Sequence, residues 1–295
     1  MSIGPITPRR ARQLWYAPVL GLATALMMLR LFALARLLDI PNFAQASAAF
    51  LVSSTFTMLG CLGLQSLLQR DMPILFVHGR ENAARVLLAQ SVVVAYGCAA
   101  VAMVGAFVVP FDFGSPANLV ALGIVHGLSQ QLFLLSTVES RSRGEPLRFA
   151  LQSLLRGVLV VIAGVAIARA TRSAEWVVVA ELVVSLVLAH LLLHRTLAPR
   201  AWAIVRAGAD RWRAIDWRAA GVLLLVALLG FALTYADRWG AATALDARQF
   251  ANYAFAGTIV AIGLSTQSLV NASVYPMLAR LYARSGQAAC FELCA

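Results

Sequence analysis

Lysine is absent from this 295-residue chain, so all 24 of its basic residues are arginine. Charge of either sign is scarce, at 13% of residues, against 61% hydrophobic residues and a mean hydropathy of +0.79. That balance excludes an ordinary soluble domain. Four cysteines are too few for a disulfide framework: Cys61 and Cys98 fall inside apolar runs as packing residues, and Cys290 and Cys294 lie near the end. No His/Cys/Asp/Glu cluster has metal-ligand spacing, and no Gly-rich segment has the form of a phosphate loop. His78, His126, His190 and His194 fit no Ser/His/Asp arrangement. The chain therefore reads as a non-enzyme without a cofactor. The lack of any long polar segment also argues against a large extramembrane catalytic domain.

Apolar runs are what the chain has in abundance. About 20 apolar residues, rising about 1.5 Å each, cross a hydrocarbon core of about 30 Å. Such runs fall near 14–38, 43–68, 86–109, 117–138, 147–168, 176–193, 219–236 and 250–275. The expectation is an all-α polytopic bundle of about eight transmembrane helices. The first run follows Arg9, Arg10 and Arg12 as in a signal peptide, but no small-residue cleavage site stands behind it, so it is expected to be retained.

The arginines then supply an orientation. With the N-terminus inside, 17 of the 24 fall in inner segments. Arg169, Arg172, Arg238 and Arg248 fall outside, and Arg30, Arg36 and Arg156 within spans. Short loops rich in arginine stay cytoplasmic, which predicts both termini inside. The net charge of +11 is spread as a topology signal facing anionic lipid headgroups, with no nucleic acid expected as partner.

The longest inner connection divides the chain. Residues 1–194 read as an N-terminal six-helix lobe, 195–218 as a cytoplasmic amphipathic connector, and 219–295 as the first two helices of a second lobe. In the connector, Trp202, Val205, Ala209, Trp212 and Ile215 recur at three- and four-residue spacing among arginines, the pattern of an interfacial helix. An internal repeat supports the division. Phe43-Ala44-Gln45, then Leu64-Gln65-Ser66-Leu67-Leu68 and Pro73-Ile74-Leu75, recurs as Phe250-Ala251-Asn252, Thr266-Gln267-Ser268-Leu269-Val270 and Pro276-Met277-Leu278. Parallel repeats of this kind place a transport site at their interface.

The run Ala35-Arg36-Leu37-Leu38-Asp39-Ile40-Pro41-Asn42-Phe43-Ala44 resembles the end of the first helix and start of the second in bacterial polysaccharide (O-antigen type) flippases. Asp237-Arg238-Trp239-Gly240, Phe250-Ala251-Asn252-Tyr253-Ala254 and Pro276-Met277-Leu278-Ala279-Arg280-Leu281-Tyr282 are similar to further segments of that family. Asp39, Ala44 and Ala251 depart from it, standing where the family usually has Gly. The family belongs to the multidrug/oligosaccharidyl-lipid/polysaccharide exporter superfamily. The resemblance implies two lobes around a central cavity, alternating access, a bacterial inner (cytoplasmic) membrane, and a polyprenyl-pyrophosphate-linked oligosaccharide as cargo. Implied partners are that lipid-linked oligosaccharide, membrane lipids, a polysaccharide polymerase and glycosyltransferases. Against the family's length, the chain reads as one six-helix lobe plus the first hairpin of a second, truncated after about eight helices.

Transport needs polar groups at membrane depth. Arginine at a helix centre costs roughly 2.5–3.5 kcal/mol on the insertion scale, so Arg30 should face protein or water. It can bind pyrophosphate bidentately or pair with an acid. Arg36, near the outer end, can snorkel as an anchor. Arg156 and Gln152, four apart, are candidates for an inward-facing cavity or for snorkelling. Glu181 is either the partner of an intramembrane arginine or an ion-coupling site. His126 and Gln130, beside Gln131, and Gln267 with Asn271 should turn inward, for interhelical bonding or for sugar hydroxyls. Asp237 and Arg238 suggest a local pair or a gate contact.

Two other readings compete. A cation-coupled multidrug or small-molecule antiporter of the same superfamily calls for an acid-rich cavity, whereas three arginines within the spans face one glutamate here. A non-transporting truncated remnant is the other. A membrane polymerase or glycosyltransferase would need a large loop or an acidic metal motif, and neither is present.

Overall fold

The computed structural model describes residues 15–108, 116–197, 201–210, 212–260 and 278–283. Among the described residues, nine helices are α1 (Tyr16–Leu37), α2 (Ile40–Leu59), α3 (Leu64–Val77), α4 (Glu81–Val108), α5 (Ala117–Ser142), α6 (Pro146–Thr171), α7 (Ala174–Leu197), α8 (Ala201–Asp210) and α9 (Trp217–Ala244). A tenth, α10, runs over 247–260. Among the described residues there is no strand. Six of these helices are long and apolar enough to cross a membrane, or seven if the bent pair α2–α3 forms one span. The remainder of the span expected at 250–275 lies outside the described residues.

Local chemistry sets the helix ends. Asp39 caps α2, its Oδ1 accepting from the Asn42 backbone N–H at 2.9 Å, and Pro41 sits in the first turn where no donor is needed. Asp216 caps α9 in the same way through Ala219 N–H at 3.0 Å. Pro146 opens α6.

The span expected at 43–68 is not one straight helix. It breaks after Leu59 and resumes at Leu64 with a bend of 49°, then continues to Val77. Leu62 and Gly63 adopt positive φ, of 48° and 79°. A side chain at Gly63 would also stand 2.1 Å from the Ala220 carbonyl oxygen of α9, so only glycine fits. Run length alone does not reveal such a break; Gly60 and Gly63 are its sequence trace.

α5 is the axis of the bundle. It buries 72% of its apolar stretch, whereas peripheral α9 buries 6%. α2 crosses α5 closely because Gly123 and Gly127, a small-xxx-small pair, leave room for the α2 backbone. A Cβ on Gly127 would lie 2.7 Å from the Ser53 carbonyl oxygen. α1 packs along α6, and α7 packs against both α5 and α6.

Charges gather at one end. Arg143 bridges Glu139 at 2.9 Å and Glu81 at 3.2 Å, Arg148 meets Glu145 at 2.9 Å, and the Thr196 hydroxyl donates to Glu139 at 2.9 Å. This network joins α4, α5, α6 and α7. The connector lies at the same end, where α8 turns buried Ile204 and Gly208 onto α4. There the Gln90 side chain donates to the Gly208 carbonyl at 2.9 Å. That carbonyl is one of the helix-terminal acceptors that need a partner.

Candidate functional site

Polar residues from five helices meet inside the bundle. Arg30 of α1 lies about 10 Å from its helix end and Glu181 about 10 Å from the start of α7, at about 1.5 Å per residue. Both helix termini are at the end of the bundle opposite the arginine-rich network, so the two side chains share a depth. Arg30 Nη1 donates to Glu181 Oε2 at 2.5 Å, with Arg30 7% exposed and Glu181 fully buried. The guanidinium also stacks on Phe50 of α2, 4.6 Å from the ring centre.

The pair is not saturated. Among the described residues, Arg30 Nε and Glu181 Oε1 have no hydrogen-bond partner. The contact is therefore one N–H on one oxygen, not the two-bond fork that holds arginine and carboxylate most firmly. Gly164 of α6 makes room for the acid, since a Cβ there would stand 2.7 Å from Glu181 Oε1.

His126 of α5 joins α2 to this pair. Its Nδ1 lies 2.8 Å from Ser53 Oγ, and its Nε2 lies 3.6 Å from Glu181 Oε2 and 3.4 Å from Gln130 Nε2. Arg156 of α6 sits behind Gln130, donating to Gln130 Oε1 and to Ser185 Oγ of α7, the latter at 3.3 Å, while stacking on Phe133. Among the described residues Arg156 forms no ion pair. The buried group thus holds two guanidiniums and one carboxylate, an excess of positive charge in a low-dielectric interior.

Arg30, His126 and Gln130 line a cavity of about 800 Å³ between α1, α2, α5 and α9. Its walls differ in character. Ser53, Ser54, Thr57, Gln65 and Ser66 give α2 and α3 a hydroxyl- and amide-rich surface, while Leu223, Val226 and Ala227 make the α9 wall apolar. Cys61 and Gly63, at the break between α2 and α3, also line it. Broken backbone at membrane depth is tolerated where it borders such a cavity.

The other sequence candidates scatter. Gln152 faces a separate groove between α6 and α7 and accepts from the Ser140 hydroxyl at 3.0 Å. Arg156, one turn further along α6, turns to Gln130 and Ser185. Arg36 is exposed and lines a shallow site with Asn252 and Phe255. Asp237 and Arg238, adjacent in the chain, also reach across to α10. Asp237 Oδ2 accepts from the Tyr253 hydroxyl at 2.5 Å, and Arg238 donates to the Gly257 carbonyl at 3.1 Å. Both tie α9 to α10. Gln267 and Asn271 lie outside the described residues.

Sequence reading did not single out Ser53, Phe50, Ser185 or Gly164. Serine and phenylalanine are common in transmembrane helices, so only their neighbours mark them. The Gly123-xxx-Gly127 spacing was the usable signal: it brings α2 against α5 and hence Ser53 to His126. Gln131 turned away from its neighbour Gln130 and donates to Gln65 Oε1 at 2.9 Å. No protein-family model matches the chain, and neither a curated protein nor a solved structure matches it.

Proposed function

We propose that this chain is a multi-pass membrane transporter whose cargo is an amphipathic anion, a polyprenyl-pyrophosphate-linked oligosaccharide moved from the cytoplasmic to the outer leaflet by alternating access. One observation carries the reading: the buried Arg30 guanidinium borders the 800 Å³ cavity, and among the described residues its Nε has no partner. An anion entering that cavity meets a cation already desolvated, where charge attraction is stronger than in water. The polar wall suits sugar hydroxyls and the apolar α9 wall suits an isoprenoid chain. Glu181 holds Arg30 when no cargo is bound, and exchange of one anion for the other is the differential contact on which a two-state cycle can turn.

The arginine distribution supports an orientation with both termini in the cytoplasm of a bacterium, in its inner membrane, with eight crossings arranged as a six-helix lobe, the 195–218 connector and the start of a second lobe. Two buried guanidiniums against one carboxylate disfavour a cation-coupled antiporter. The test is complementation of a flippase-null strain. Arg30→Met/Glu181→Leu, which strands no buried charge, is expected to abolish rescue while the protein accumulates in the membrane at normal levels. Full rescue by that variant would remove Arg30 from the site and the anionic cargo with it.

A further inference from the structure

A groove of about 690 Å³ runs between α6 and α7 on the outer surface of the bundle, at its arginine-rich end. No described residue lines both this groove and the 800 Å³ cavity. Leu188 and Leu192 of α7 form its buried floor. Leu151 and Leu155 of α6, with Leu191 of α7, form walls that are about half exposed. Leu155 stands nine residues after the start of α6, and Leu188 nine before the end of α7. At about 1.5 Å per residue, the leucines reach about 14 Å inward from the helix ends. That is close to half of a hydrocarbon core of about 30 Å, so the groove serves one leaflet.

Glu145, Arg148 and Arg195 stand at its mouth. The acid is committed, because Glu145 Oε2 accepts from Arg148 Nη1 at 2.9 Å. Arg195, in the last turn of α7, is exposed. Among the described residues its guanidinium forms no ion pair and no hydrogen bond, so the mouth carries one uncommitted positive charge. Deeper in, Gln152 accepts from the Ser140 hydroxyl at 3.0 Å, while its amide nitrogen has no partner among the described residues. An amide N–H at membrane depth needs an acceptor, which acyl chains lack and the ester carbonyls beneath a headgroup supply.

We propose that this groove holds one anionic phospholipid from the leaflet at the arginine-rich end. Its phosphate sits on Arg195, an ester carbonyl on Gln152, and an acyl chain along the leucines. Basic pockets between transmembrane helices take anionic headgroups in this manner. Charge decides the class of headgroup. A zwitterionic lipid brings an amine that needs a free carboxylate, and Glu145 is already held by Arg148. The lipid is a resident of the bilayer and not cargo, so the site stands without the transport reading. A chain that selects the lipid but fails to rescue a flippase-null strain would sink the export proposal and leave this one intact.

The full chain, purified in detergent and stripped of lipid, is titrated with phosphatidylglycerol, phosphatidylethanolamine or phosphatidylcholine of identical acyl chains. Native mass spectrometry counts the lipids retained and gives the apparent affinity for the first. Phosphatidylglycerol is expected to bind at least fivefold tighter than either zwitterion. Arg195→Gln should cut that preference about fivefold, the worth of one arginine near anionic lipid. Arg169→Gln removes the same charge from an exposed position at the other end of α6 and should change nothing. Leu191→Trp, at an exposed position, fills the groove and should weaken all three lipids. Equal retention of the three lipids by the parent overturns the proposal. So does an Arg195→Gln protein that keeps the parent's preference, or a Leu191→Trp protein with undiminished affinity. An Arg169→Gln protein that loses as much as Arg195→Gln also overturns it, by reducing the preference to net charge.

Discussion

Two helical corners at the same end of the bundle follow one recipe and serve different ends. α1 stops at an extended Leu38 whose N–H bonds the Leu34 carbonyl; α9 stops at an extended Leu245 whose N–H bonds that of Ala241. An aspartate comes next in each case. Asp39 accepts from Asn42 N–H at 2.9 Å and Asp246 from Gln249 N–H at 2.8 Å. The next pairs, Phe43-Ala44 and Phe250-Ala251, are buried in a single apolar cluster. Eight residues before each leucine the likeness ends. Arg30 is buried on Glu181, whereas Asp237 is exposed and takes a bond from Tyr253. The corner is a property of a few adjacent residues, so it repeats. What stands at membrane depth depends on which helices flank it: α1 lies against α6, while α9 leaves most of its surface outward.

Removing the buried acid should separate the two corners most sharply. Glu181→Ala strands Arg30 and Arg156 without a carboxylate, and breaking a buried pair in this way costs about 3–5 kcal/mol. The thermal midpoint of the detergent-purified protein should fall steeply, while Asp237→Ala, at an exposed position, should move it far less. The double variant Arg30→Met/Glu181→Leu should regain most of the loss, because an apolar pair needs no counter-charge. Equal losses in Glu181→Ala and Asp237→Ala would erase the distinction between the corners.

A smaller effect is expected at the glycines. Gly127→Ala places a Cβ 2.7 Å from the Ser53 carbonyl oxygen and 2.9 Å from Phe56 Cβ, and a backbone atom has little freedom to yield. Overpacking of this kind costs about 1–3 kcal/mol. Gly240 of α9 has nothing within 4 Å of the same position, so Gly240→Ala should cost nothing and can add helix stability. Thermal unfolding of the two variants side by side checks this.

The helical class and most spans were legible in the sequence because bilayer thickness fixes run length, and the arginines mark alternate ends. Arg30, Glu181, His126 and Gln130 were legible as candidates, since polar groups in apolar runs must find partners. That they meet was not, because Arg30 and Glu181 are 151 residues apart and no local pattern encodes the crossing of α1 with α7. Arg156 and Gln152 show the same limit. Their four-residue spacing suggested one face, and both do bond α5, but through residues ten apart, Gln130 and Ser140, which no spacing within α6 names. The break after Leu59 escaped because hydropathy is blind to φ. The Asp39 and Asp246 caps also escaped, although both were written in the repeated Leu-Asp dipeptide.

Those caps yield the smallest effect and the finest test of the shared recipe. The Asn42 backbone N–H, and then its side-chain amide, hold the Asp39 carboxyl below its ordinary value. A carboxyl depressed on folding contributes stability that is fully present above its unfolded value and is lost as pH falls through the folded one. The Asp39 contribution should therefore be constant near neutrality and fade only below about pH 4. Asp39→Asn keeps an acceptor for the helix terminus and should flatten that acid limb; Asp39→Ala should lower the midpoint slightly at every pH above it. Asp246→Ala, which removes the equivalent bond to Gln249, should match Asp39→Ala at pH 7. A midpoint that falls at pH 7 in one alanine variant and not in the other would mean that only one of the two corners depends on its aspartate.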